Sequence, residues 1–180
     1  MFAKVVAVHK SSEHSFTKSS CDQIKLIAGI GVEGDAHSGE KVKHRSRVRR
    51  DPLQPNLRQV HLLHEEFFPE LSADGFDLVP GEIGENITTR GIDLLGLPRD
   101  TVLWIGSTVA VRITGYRAPC VQMDQHQQGL MKACLYDGPD GKKLGKSGVM
   151  GVVEIGGKVS AEDAIRIELP MEPHYALDKA

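Results

Sequence analysis

A chain of 180 residues suits a single domain, and its 40% hydrophobic and 26% charged residues are those of an ordinary folded protein, which excludes long disordered or fibrous chains. A formal net charge of −2 and a pI near 6.4 exclude a globally basic nucleic-acid binder but leave room for a local basic patch. No apolar run approaches the roughly 20 residues of a membrane span, and nineteen glycines predict many turns.

Residues 2–8 are β-branched and open the chain as a strand. Residues 9–20, rich in serine and histidine, read as loop. Apolar character resumes over 24–30 and meets Gly29-Ile-Gly-Val-Glu-Gly-Asp35, where the glycines mark a bend or a close backbone approach. Residues 41–50 are the sharpest anomaly: six of the ten are Lys or Arg and none is acidic. Lys41, Lys43, Arg45, Arg47 and Arg49 would share one face of an extended strand, and Pro52 and Pro55 end the run. Arg58-Gln-Val-His-Leu-Leu63 reads as a strand and 64–71 as a short helix interrupted by Pro69. Residues 79–89 form a turn into a strand. Two β-rich runs, 101–105 and 108–114, flank the hairpin signal Gly106-Ser107. Residues 119–135 are the best helical window, 137–147 a loop, and 149–155 with 158–169 a strand–turn–strand unit. Seven or eight short strands with few helices predict a mostly β fold, a barrel rather than a doubly wound sheet. The chain shows no internal repeat and no linker.

Four groupings can carry chemistry. Cys120 ends Tyr116-Arg-Ala-Pro-Cys120, just after a strong strand and at an expected helix start, where Arg117 and helix amides favour a thiolate. A thiolate there can attack carbon or sulfur, carry a persulfide or bind a soft metal; the alternative is a buried structural cysteine. In Gly81-Glu-Ile-Gly-Glu-Asn86, backbone amides can hold an anion while Glu85 and Asn86 bond a heterocycle, or the segment is only a tight turn. Asp35 and His37 make a metal pair, an acid–base pair or a polar rim. His61 and His64 lack the spacing of a zincin motif. The basic run, Lys41 to Arg50, is either a solvated loop or a cationic flap over a polyanion such as a pterin phosphate or a nucleotide. It has no interleaved aromatics, which argues against RNA. Walker, nucleophile-elbow and Rossmann motifs are absent. Cys21, Cys120 and Cys134 include no Cys-x-x-Cys pair and cannot close a disulfide framework. Reduced thiols, and an opening segment broken by Lys4, point to a cytoplasmic protein without membrane attachment.

Taken in order, the motifs resemble the MOSC domain, named for the C-terminal part of molybdenum cofactor sulfurases. They are Gly31-Val-Glu-Gly-Asp-Ala-His37, Arg58-Gln-Val-His-Leu-Leu63, Gly84-Glu-Asn-Ile87 with Gly91-Ile-Asp-Leu94, Trp104-Ile-Gly-Ser-Thr-Val109 leading to Arg117-Ala-Pro-Cys120, and Gly151-Val-Val-Glu-Ile-Gly-Gly-Lys-Val159 with Glu162-Asp-Ala-Ile165. The likeness runs from about residue 3 to 169. It departs at Arg99-Asp100 and Glu162-Asp163, where the family often has Gly-Asp, and at Gly148-Val-Met-Gly151, where an aromatic is common.

The resemblance implies one β-barrel domain over residues 1–170, of the kind inserted in pyruvate kinase, with a few short helices and a tail over 171–180. It implies Cys120 as functional cysteine and molybdenum ligand, with Arg117, Gly84, Glu85, Asn86, Asp35 and His37 lining a molybdenum cofactor (molybdopterin) pocket. It implies a reductase component for N-hydroxylated substrates, served by an external reductase. The alternative it leaves is a persulfide or cofactor carrier in cofactor maturation, served by a sulfur donor such as a cysteine desulfurase. A third reading is a binding module that uses the basic run. No pyridoxal phosphate is expected in this chain, which has no aminotransferase-like segment. Cys134 is either core or a second thiol that resolves Cys120.

Overall fold

The computed structural model describes residues 2–138 and 141–180, without the side chains at 45 and 46. The expected placement of the Arg45 side chain, and the loop at 139–140, lie outside the described residues.

β1 (Lys4–Lys10) and β2 (Ser19–Cys21) pair antiparallel, so the expected 9–20 loop is shorter than the sequence suggests. Val5 and Val8 are three apart yet both are buried. A register shift between Val5 and Ala7 re-phases the strand and turns both inward. β3 (Gln23–Ile27) alternates, with Ile24 and Leu26 inside, and β4 (Gly31–Val32) returns beside it. The basic run is not an extended strand. Lys41 bridges to Pro55, and Arg45–Val48 form a single helical turn, α1, so its cations do not share a strand face.

β5 (Val60–His64) is buried over its first four residues, as a central strand covered on both faces must be. α2 (Phe67–Ala73) follows, and β6 (Ile87–Arg90) returns parallel to β5. Pro69 does not interrupt α2. It stands in the first turn, where no intrahelical amide donor is needed. β7 (Val102–Ile105) and β8 (Val109–Tyr116) form the expected hairpin. The helical window splits into α3 (Val121–His126) and α4 (Leu130–Ala133), because Gly129 sits at φ 93° between them. β9 (Leu135–Asp137), which starts at the end of the expected helical window, pairs with β10 (Lys143–Gly145), which lies in the expected loop. β11 (Val149–Ile155) is followed by β12 (Gly157–Ser160) and β13 (Ile165–Glu168). The last three do not form the expected unit: β12 leaves to pair with β3, and β13 pairs with β7.

The main sheet runs β13-β7-β8-β11-β5-β6-β1-β2, beside a three-stranded sheet β12-β3-β4. The fold is mostly β with a few short helices, as expected, but the ladders form an open sheet rather than a closed ring. Near its ends, β1 meets the chain before β13 through one bridge, Lys4 with Ala164, and through Ile165 N donating to Ala3 O at 2.8 Å. The larger core cluster fills the inside of the sheets. A smaller one, including Leu63, Phe67, Leu71, Met123, Leu130 and Cys134, packs α2, α3 and α4.

Pro69→Ala is therefore expected to change unfolding free energy by less than about 1 kcal/mol, because no hydrogen bond is at stake. Leu71→Ala, at a fully buried site on the same helix, should cost about 3 kcal/mol. Chemical denaturation of the two variants checks this; equal losses would contradict the assigned helix start.

Candidate functional site

Where β8 ends, Arg117 N donates to Gly148 O at 2.8 Å and Ser147 Oγ donates to Arg117 O at 3.0 Å. These bonds fasten the Arg117-Ala-Pro-Cys120 segment to the turn before β11. Pro119 precedes the cap rather than opening the helix, and Cys120 itself caps α3 in extended conformation at φ −138°. Its half-buried Sγ lies 3.7 Å from Gln122 Oε1. Cys120, Arg117, Gly84, Asn86 and His37 all line one cavity of about 920 Å³.

The cavity is cationic. Lys18, Arg47, Arg58 and Arg117 contribute to its wall, and no carboxylate does among the described residues. Arg117 Nη1 and Arg58 Nε are buried without a hydrogen-bond partner, as is His44 Nε2. The Arg117 guanidinium sits 5.8 Å from the centre of the Phe16 ring. Burial pushes both guanidinia down, Arg58 to about 10 with help from Arg117 and Arg47, while Cys120 favours the charge on each. The sulfur is therefore within electrostatic reach of two arginines. Two of the cavity histidines, His44 and His61, are held neutral. Burial, then the Arg58 charge, push His44 down to about 2. Burial and Arg117 lower His61, whose ring meets Ser147 O at 2.7 Å. Buried donors without acceptors, in a cavity that a thiol also lines, suit an anion with several oxygens.

One carboxylate stands behind this wall. Asp35 is buried and does not line the cavity. Its Oδ2 accepts from Lys18 Nζ, from Asn86 Nδ2 at 3.0 Å and from Ser11 N at 3.3 Å. Its Oδ1 accepts from His37 N at 2.9 Å and Nδ1 at 3.2 Å. Burial alone would push this carboxyl up, but His37 and Lys18 together hold it well below the usual carboxylate range. Asn86 also accepts from His61 N at 3.2 Å and donates to His9 O at 3.1 Å, tying β1 to β5.

Gly84 holds φ 87°, and a Cβ there would run into the Phe16 carbonyl, so only glycine fits this corner. Glu85 is fully buried and turned away from the cavity. Oε1 accepts from Gly81 N at 2.6 Å and Thr88 Oγ1 at 3.0 Å, and burial raises its pKa. Five of the seven expected site residues thus meet at the cavity, and Asp35 and Glu85 brace it from behind. Cys134 is packed among Leu130, Met123 and Phe67, and burial pushes its thiol up to about 11. Sequence reasoning missed Lys18, Arg58, His44 and Lys179 as lining residues. The first two lie in a serine-rich stretch and at a strand entry, where no local pattern marks them. The described residues hold no group of three or more His, Cys, Asp or Glu placed to bind a metal, and His64 does not line the cavity.

A fold of this order, with a cysteine opening onto an arginine-lined cavity, matches a known family model. The chain belongs to the MOSC domain family, whose model matches residues 36–166. The family is associated with molybdenum cofactor binding. The solved structure of the YUAD protein from Bacillus subtilis superposes with a TM-score of 0.79 at 23% identity, covering 95% of this chain and 98% of that one. YiiM from Escherichia coli gives 0.66 at 17% identity, covering 97% and 73%. YiiM from Geobacillus stearothermophilus gives 0.68 at 15%, covering 97% and 79%. These likenesses concern the fold. No curated protein matches the chain in sequence. No helix among the described residues is long and apolar enough to cross a membrane.

Burial, then the nearby Lys18 charge, lower His9 from 6.5 to about 4. Between those values the unfolded chain binds a proton that the folded chain does not, so stability falls as pH drops from about 6.5 to about 4. His44 and His61 act in the same sense. Thermal melts should show this fall, and His9→Asn should show a shallower one; an equal slope in the variant would remove His9 from the account.

Proposed function

We propose that the cavity takes up a phosphate-bearing pterin cofactor of molybdenum and that the chain is the reductase component for N-hydroxylated compounds. The observation that carries this reading is one cavity lined by Cys120 together with Arg58 and Arg117, whose buried Nε and Nη1 have no protein partner. The donor set fits the group. A single soft thiol suits a metal whose other ligands arrive with an organic anion, and the arginines suit its phosphate. In this reading residues 1–170 are the one MOSC domain, the open sheet stands for the family's barrel, and residues 171–180 are a mostly exposed tail bonded to Arg99 and Tyr116.

Arg58 and Arg117 would hold the phosphate, and Cys120 would ligate the metal. When bound, the cofactor supplies a site for two-electron reduction. Overall, an N–OH group gains two electrons and two protons, its N–O bond breaks, and an amine and water leave. The electrons come from an external reductase. The chain's own residues hold charge and protons in place. Burial pushes the Lys18 amine down, and Asp35 acts against that shift. Asp35 also meets His37 at Nδ1, which fixes the orientation of a ring that lines the cavity wall. Neutral His44 and His61 add no competing charge.

Protein purified without oxygen and supplied with an electron-donating reductase should reduce an N-hydroxylated base. Cys120→Ala should lose at least about a hundredfold of that rate, near 3 kcal/mol of barrier. No reduction by the wild type, together with dithiothreitol-reversible added sulfur on Cys120, would overturn this reading in favour of a sulfur carrier.

A further inference from the structure

The cavity has a second tier of positive charge. Arg49 and Arg50, just after α1, and Lys179 line the same cavity but are exposed. None of the three has an ion-pair partner among the described residues. They come from segments more than a hundred residues apart, and each segment is anchored by its backbone. Val42 N donates to Gln54 O at 3.0 Å and Asn56 N to Glu40 O at 2.9 Å, closing the loop that carries Arg49 and Arg50. Tyr116 N donates to Asp178 O at 2.9 Å and Ala180 N to Tyr116 O at 3.1 Å, which seats Lys179 beside the end of β8. Arg47 Nη2 donates to Ala180 O and joins the two anchors.

Like charges gathered at one opening repel, and a fold that holds them there gains when an anion arrives. The buried pair Arg58 and Arg117 already accounts for one phosphate. The exposed tier is a separate set, nearer solvent. At about 920 Å³ the cavity stands at the upper end of the range for ligand sites, about 300–1,000 Å³, and the exposed cations line its opening. Building on the reductase reading, we propose that Arg49, Arg50 and Lys179 select substrates that carry a phosphate: N-hydroxylated nucleotides rather than free bases or nucleosides. A phosphate on a ribose arm stays at the exposed tier while the base reaches toward Cys120. A polynucleotide would need a cationic track with stacking aromatics. These cations instead gather at one concave opening, and the chain as a whole carries a net charge of −2.

The test is equilibrium binding to the intact chain, purified without oxygen from a host that makes the cofactor. The probes are AMP, adenosine, inorganic phosphate and a single-stranded oligonucleotide. The proteins are the wild type and the triple variant Arg49→Ala, Arg50→Ala, Lys179→Ala. The three positions are exposed, so the variant's melting temperature should stay close to that of the wild type. AMP should bind at least about tenfold tighter than adenosine or phosphate, about 1.4 kcal/mol. The triple variant should erase that preference and keep its molybdenum content. Equal binding of AMP and adenosine, equal binding of AMP and phosphate, tighter binding of the oligonucleotide, or unchanged AMP binding in the variant would each overturn the proposal. Variant-sensitive AMP preference in protein free of molybdenum would support phosphate selection while sinking the cofactor reading.

Discussion

A buried carboxylate holds the cavity wall together. Asp35 takes hydrogen bonds from Lys18, His37, Asn86 and Ser11, and the first three of these line the cavity. Burying an ion pair is costly, and removing one partner leaves the other charge uncompensated, commonly at 3–5 kcal/mol. Lys18 and Asp35 side chains are 5% and 2% exposed, so each depends on the other. The same oxygens fix His37, and through Asn86 they reach β1 and β5. The wall is therefore set by charge pairing inside the protein, whereas the cavity is left with an excess of cations.

That excess gives the site its chemical character. Arg112 pairs with Glu154 and Asp100 on the surface, whereas Arg58 and Arg117 have no carboxylate partner among the described residues. Guanidinium nitrogens without acceptors, neutral histidines and a half-buried thiol together make an anion receptor with one soft ligand. The second thiol nearby, Cys134, is packed in the smaller core and kept protonated by burial. It is core rather than a partner for Cys120.

The sequence was most informative where chemistry and local structure coincide. The β7–β8 hairpin and the Arg-Ala-Pro-Cys segment are readable because each depends on neighbours in the chain. Connections made across the fold are not. Nothing local says that β12 leaves β11 for β3, or that Arg58 and Lys18 converge on one cavity from distant parts of the chain. The 119–135 window was helical by composition, but one left-handed glycine divides it. The basic run is not a strand because its first residues, Lys41 and Val42, bond to Pro55 and Gln54 and the chain then turns helical at Arg45–Val48. Glu162, where the family often has glycine, keeps a positive φ of 73° and pairs with Lys4 at 2.8 Å, so the turn persists under strain. Of the site, Asp35 and Glu85 were visible as residues but not as supports, because burial is a property of the folded chain.

The most direct measurement is molybdenum per chain, by elemental mass spectrometry, in wild type and Cys120→Ala made side by side in a host that synthesises the cofactor. The account predicts near-stoichiometric metal in the wild type and its loss in the variant, with both proteins equally folded. Metal retained in full by Cys120→Ala, or absent from both, would contradict it.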